Sequence, residues 1–294
     1  MKRRIQTKTS RTAEFTCMIR FQSYLEKREQ FKSDDYITLV IVNSIIKLLF
    51  IMPPVKKIFL KKIYPPGIYE YVIARTKFID KELKEALLGD IEQVLIFGAG
   101  FDSRGIRFQE VAKNIEIFEL DAPITQKAKI ERYKEKGIKI PENLRFIPVD
   151  FNRDSIPQRL EENGFRKDKK TLFILEGLTM YLEPESVDST FKLISEYSAI
   201  GSKVIFDHIY DSVVRRENLY EGEKELYLGV LQRNEKFTFG IKKGSVNDFL
   251  SAYGFEAVDI LDSNMLEDMF FRDEQKNLLA KVNGTHCIVT AIKN

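Results

Sequence analysis

The stretch VLIFGAGFDSRGIRF, Val94–Phe108, decides the fold. Apolar residues run into Gly98-Ala99-Gly100, so a buried extended segment ends in a turn built from small residues. A Gly-x-Gly here opens a dinucleotide site when a third glycine follows at the fingerprint spacing. The next glycine is Gly105, two places too late. Asp102 also stands at the start of the following helix, where it would repel a phosphate. The loop therefore reads as a close approach to a ligand that is not a pyrophosphate.

Outward from this loop, short apolar runs alternate with helical stretches, the signature of a parallel sheet with crossover helices. Strands are predicted at Gln93–Ala99, Ile115–Asp121, Leu144–Asp150, Lys170–Gly177, Ser202–Ile209, Phe255–Asp262 and Thr285–Lys293. The last two are read as an antiparallel hairpin. Residues 89–294 are assigned to this α/β domain, with a charged helical insertion at about 210–253. Residues 1–88 have helical periodicity throughout and read as an N-terminal cap.

The chain has 294 residues, 44% of them apolar, enough for one large core, and a net charge of +3. That mild basicity gives no case for nucleic acid beyond the N-terminal KRRIQTKTSR, which reads as a solvated tail. An RNA-modifying protein is a weaker reading on that ground. Two cysteines, Cys17 and Cys287, and two histidines, His208 and His286, argue against a disulfide framework and a metal centre; a cytoplasmic setting is expected. The apolar run Ile37–Met52 is too short to span a bilayer and is interrupted by Asn43, Ser44 and Lys47. It reads as a buried or capping helix. Peripheral membrane contact through the lysine-rich VKKIFLKKIY that follows is the less favoured alternative.

Ligands of open α/β sheets sit beyond the carboxyl ends of the strands, so the strand ends carry the functional reading. The second strand ends at Asp121 in FELDAP, suited to accept from two ribose hydroxyls, or else to cap the proline-led helix behind it. Glu119 shares its side of the strand but lies further from the carboxyl edge. The third ends in PVDF: Asp150 suits an exocyclic amine and Phe151 suits the face of a base. The fourth ends at Glu176, placed to meet an amino group. A Gly-x-Gly, an acid, an acid–aromatic pair and another acid at successive strand ends suit a nucleoside without a pyrophosphate. They favour S-adenosylmethionine over a nicotinamide dinucleotide.

With those residues in place the chain resembles the leucine carboxyl methyltransferase family, which includes O-methyltransferases associated with polyketide biosynthesis. The matching pieces, in the family's order, are RTAEFTCMIR, IARTKFID, QVLIFGAGFDSRGIRF, FELDAP, FIPVDF and LFILEGLTMYL. The resemblance implies a class I methyltransferase (Rossmann-like) seven-stranded sheet, mostly parallel, with a C-terminal antiparallel hairpin and a helical cap. It implies that Arg75 pairs with the cofactor's carboxylate, that Gly98 with Ala99 and Gly100 lines the methionine arm, and that Glu176 lies near the methionyl amine. Arg20 is a further candidate for a cofactor or substrate carboxylate. The chain departs from the family at SDDYIT, where many members have Asp-Pro followed by an aromatic residue and alanine, a segment that helps shape the acceptor pocket.

The activity expected is methyl transfer to oxygen, with a carboxylate of a small molecule or a peptide C-terminus as acceptor. Such a group is ionised at neutral pH and needs no base (pKa ~4). A phenol or alcohol (pKa ~10 or above) would call for a base. His208 at the end of the fifth strand is the first choice for it and His286 the second. Tyr181 is a candidate to orient the acceptor, and Arg215 in the insertion to bind it. A protein that binds S-adenosylmethionine without catalysis is the remaining alternative.

Overall fold

The computed structural model describes residues 9–42, 47, 64–150, 154–232 and 235–294. Phe151, most of the apolar run after Val42 and the lysine-rich segment after it lie outside the described residues.

Seven strands form one sheet: β1 Gln93–Phe97, β2 Glu116–Asp121, β3 Leu144–Pro148, β4 Thr171–Leu175, β5 Lys203–Ile209, β6 Phe255–Leu261 and β7 His286–Lys293. The spatial order is β3-β2-β1-β4-β5-β7-β6. All pairings from β3 to β5 are parallel. β7 is inserted between β5 and β6 and runs antiparallel to both. The chain thus leaves β1 towards β2 on one side and returns to β4 on the other. The crevice between β1 and β4 is the switch point of the sheet.

Burial follows that order. β1 and β4, QVLIF and TLFIL, are buried at every position because central parallel strands are covered on both faces. The edge strands β3 and β6 mix buried, half-buried and exposed positions.

The helices are α1 Arg11–Tyr24, α2 Thr38–Ile41, α3 Ile68–Leu88, α4 Arg104–Arg107, α5 Pro123–Glu135, α6 Ile156–Glu162, α7 Pro184–Glu196, α8 Asp211–Val214, α9 Glu223–Gln232, α10 Val246–Ser251 and α11 Ser263–Phe270. Proline opens α5 and α7, where its missing N–H costs nothing. Ser10 caps α1, accepting from the Ala13 N–H at 3.1 Å. α1 packs on α3. α3 is buried on most sides, and Ile68, Tyr71, Val72 and Arg75 share one face at helical spacing. No helix among the described residues is long and apolar enough to cross a membrane.

Candidate active site

Each parallel strand delivers its last residues to the same edge of the sheet, and a cavity of about 1660 Å³ lies there. It runs from Asp121 and Asp150, past Gly98, Gly100 and Glu176, to His286 at the start of β7. Antiparallel pairing puts His286 opposite Ile209, at the carboxyl end of β5. Most small-molecule pockets occupy ~300–1,000 Å³, so this one has room for two ligands.

The loop after β1 makes a tight turn. Gly98 and Gly100 have φ of +59° and +49°, a region that residues with a Cβ seldom adopt. A Cβ on Gly98 would also come within 3.0 Å of Leu178 Cδ1. Ala99 joins both glycines in the lining.

Asp121 is not a helix cap: α5 has no side-chain cap. One carboxylate oxygen, Oδ1, accepts from the N–H of the next residue, Ala122, at 2.7 Å. The other, Oδ2, is buried with no hydrogen-bond partner. Burial pushes the Asp121 carboxyl up to about 6, against the backbone N–H groups of Ala122 and Gly100. An orphaned acceptor at the cavity edge of β2 fits a ligand that carries hydroxyls. Glu119 cannot serve, because Lys129 Nζ donates to its Oε2 at 2.5 Å and both are buried. Asp150 lines the cavity, its backbone held by Asp154.

Glu176 lies in a network that the strand-end reading did not contain. Arg75 Nε donates to its Oε1 at 3.1 Å and Arg104 Nη1 to its Oε2 at 2.6 Å. Burial would raise the Glu176 carboxyl, but the two guanidiniums hold it down at about 2. Arg75 Nη1 also donates to Asp207 Oδ2 at 2.6 Å, and Asp207 Oδ1 accepts from the Gly177 N–H at 2.6 Å. Tyr71 Oη donates to the same Oδ2 at 2.8 Å. Arg104, fully buried, further grips Asp102 and Asp80. Arg20 lines the cavity, donates to the Phe101 carbonyl at 2.6 Å and faces Asp35 at 3.5 Å. Asp207, Arg104 and Tyr71 were missed because each stands in a segment that reads as ordinary strand or helix. The available signal was an acid, Asp207, in the otherwise apolar KVIFDHI of β5.

Two expectations fail on geometry. His208 does not border the cavity. Side chains alternate along β5, so Asp207 meets α3 while His208 points to the opposite face with Phe206. Phe206 in turn packs on Phe191 and Phe249. The ring is wholly buried, and burial lowers its pKa to about 4. Arg215 is an exposed residue paired with Asp211 and Glu217, away from the cavity. His286, the second choice, does line the cavity, as does Tyr181, whose ring lies 5.5 Å from Phe237. Among the described residues no cluster of His, Cys, Asp or Glu is arranged to hold a metal.

Residues 26–195 match the leucine carboxyl methyltransferase family. YktD of Bacillus subtilis strain 168, assigned by name to the S-adenosyl-L-methionine-dependent methyltransferases, is 26% identical over 71% of this chain and 68% of its own length. A relative from Mycolicibacterium paratuberculosis with the same assignment is 31% identical over 66% of this chain and 64% of its own. In fold, a crystal structure from Thermobifida fusca, named as a methyltransferase, matches 99% of this chain and 97% of that one, with a TM-score of 0.62 at 13% identity. A DUF574 family protein from Streptomyces avermitilis matches 99% of this chain and all of that one, with a TM-score of 0.63 at 12% identity. Switch-point cavity, glycine turn and family match agree: the chain belongs to the leucine carboxyl methyltransferase family of S-adenosyl-L-methionine-dependent methyltransferases.

Proposed function

We propose that this protein transfers a methyl group from S-adenosyl-L-methionine to a carboxylate oxygen of a small, largely apolar acceptor, with a peptide C-terminus as the larger variant of the same chemistry. The cofactor half of the cavity would be Gly98, Ala99 and Gly100 along the methionine arm, Asp121 at the ribose, Asp150 at the base, and Arg75 with Glu176 at the amino-acid end. The bare Oδ2 of Asp121 and the positive-φ glycines are the features of this chain that fit such a ligand. When bound, S-adenosyl-L-methionine supplies an electrophilic methyl group on a positively charged sulfur.

The observation that carries the choice of acceptor is that, among the described residues, neither histidine is placed and charged to serve as a ready base. His208 lies outside the cavity lining. Burial, with Arg75 and His208 adding to it and Asp207 opposing, takes His286 down to about 3. Such a ring draws a proton from a phenol (pKa ~10) with difficulty. A carboxylate is nucleophilic at neutral pH as it stands. The protein's part is then to orient it and exclude water. The same cavity is lined by Ile68, Tyr71, Val72, Leu226, Val230 and Phe237, apolar side chains suited to an acceptor's body, with Glu235 and Lys236 beside Phe237.

The test is to incubate the protein with S-adenosyl-L-methionine and matched panels of carboxylic acids and phenols, and to measure S-adenosylhomocysteine and methylated product. Methyl esters are expected. Methylation of phenols with none of the acids would overturn the carboxylate reading.

A further inference from the structure

The hydrogen bonds behind His286 fix its tautomer. Asn283 Nδ2 donates to the carbonyls of Pro66 at 2.8 Å and Glu221 at 3.4 Å, which leaves Oδ1 to face Thr285. That oxygen accepts from the Thr285 backbone N–H at 3.2 Å and from the Thr285 hydroxyl. An amide oxygen cannot donate, so the single hydroxyl proton of Thr285 is committed to it. Thr285 Oγ1 lies 2.7 Å from His286 Nδ1 and, its proton spent, can only accept there. His286 Nδ1 must therefore carry a hydrogen. The ring is stacked on Tyr71, with centroids 4.2 Å apart, and Tyr71 has its own proton on Asp207. Among the described residues the His286 ring makes its hydrogen bond through Nδ1 alone, and the ring borders the cavity.

We infer that His286 is the specificity residue of the acceptor chamber: its Nε2 presents a fixed lone pair that takes a hydrogen bond from the acceptor. This inference rests on the proposed methyl transfer. A bare carboxylate set against that lone pair is repelled, so the reacting end of the acceptor lies elsewhere in the chamber. The group at His286 is an O–H or N–H donor. The acceptor class narrows to an apolar carboxylic acid bearing a hydroxyl or amide near its carboxylate. Tyr71 and the Asn283–Thr285 pair hold the ring in place, and Asp207, Arg75 and His208 are the titratable and charged groups around it.

The test has two arms. The first uses long-range proton–nitrogen NMR on uniformly ¹⁵N-labelled full-length protein at pH 7. The chain has only two histidines, and His286→Phe assigns them by difference. A neutral ring with its proton on Nδ1 is expected for His286, and Thr285→Val should release that preference. A proton on Nε2, or a charged ring, overturns the inference whatever the acceptor is. The second arm compares 2- and 3-hydroxyoctanoate with octanoate as methyl acceptors. The better hydroxy acid should lead by about tenfold in kcat/KM, the worth of one hydrogen bond, and the ratio should fall to about one in His286→Phe. Equal use of the three acids by wild type, or a ratio that survives in His286→Phe, contradicts the inference. If none of the acids is methylated, the proposed activity fails, while the NMR arm still decides the lone pair.

Discussion

Asp121 ends β2 with one carboxylate oxygen bonded and the other bare, and this asymmetry has a measurable consequence. Its carboxyl titrates at about 6, pushed up by burial. A ribose hydroxyl bonds more strongly to a carboxylate than to a carboxylic acid. Affinity for S-adenosylhomocysteine should therefore be flat above about pH 7 and weaken as pH falls through 6. Asp121→Asn should bind more weakly at neutral pH and lose that pH dependence. Calorimetric titration from pH 5 to 8 checks both; an unchanged pH profile in the variant would place the titrating group elsewhere. Asp121 was legible in the sequence because it is the last residue of a strand pattern. His208 lies outside the cavity lining because neighbours on a strand face opposite ways: Asp207 meets α3, and His208 turns to the other face beside Phe206. The merit of His286 depends on the β5–β7 register, which periodicity does not reveal. Phe151 lies outside the described residues.

Two elements set the site's shape, the glycine turn after β1 and the ion network beneath it. The turn was readable from GAG, since the positive φ angles demand what the sequence supplies. Gly98→Ala adds a Cβ in a strained backbone region and 3.0 Å from Leu178, so it should lower stability by about 1 kcal/mol or more and weaken cofactor binding. Urea unfolding and calorimetry would read the two effects separately. The network was not readable, because Asp80, the Asp102–Arg104 pair, Glu176 and Asp207 are far apart in sequence and meet only when α3 and α4 pack on the sheet. Arg104→Met should cost about 3–5 kcal/mol by leaving buried carboxylates without their cation. The sign with pH follows from Glu176. Its folded pKa, about 2, lies below the ~4.3 of an unfolded chain, so the unfolded chain takes the proton first. That stabilisation is present above pH ~4.3 and is lost as pH falls towards 2. Wild-type stability should drop over this window, and Arg104→Met should drop less steeply. Equal slopes would show that Arg104 does not hold Glu176 down.

At the scale of the molecule, the alternation of short apolar runs with helical stretches was sufficient to predict a seven-stranded, mostly parallel sheet. Central strands such as TLFIL are buried at every position and apolar after Thr171, as a sheet covered on both faces requires. The same pattern says nothing of which strand ends share a cavity; the strand order does. That order brings Asp121, Gly98, Glu176 and His286 to one edge and leaves Arg215 on the outside. The central claim is that this edge holds S-adenosyl-L-methionine. The most direct measurement is calorimetric titration of wild type with S-adenosylhomocysteine, with NADH as control and folded Asp121→Ala alongside. One-site micromolar binding to wild type, none of NADH, and at least about tenfold weaker binding to Asp121→Ala are expected, the loss of one or two hydrogen bonds. A well-folded wild-type protein that binds no S-adenosylhomocysteine would contradict the account at its base.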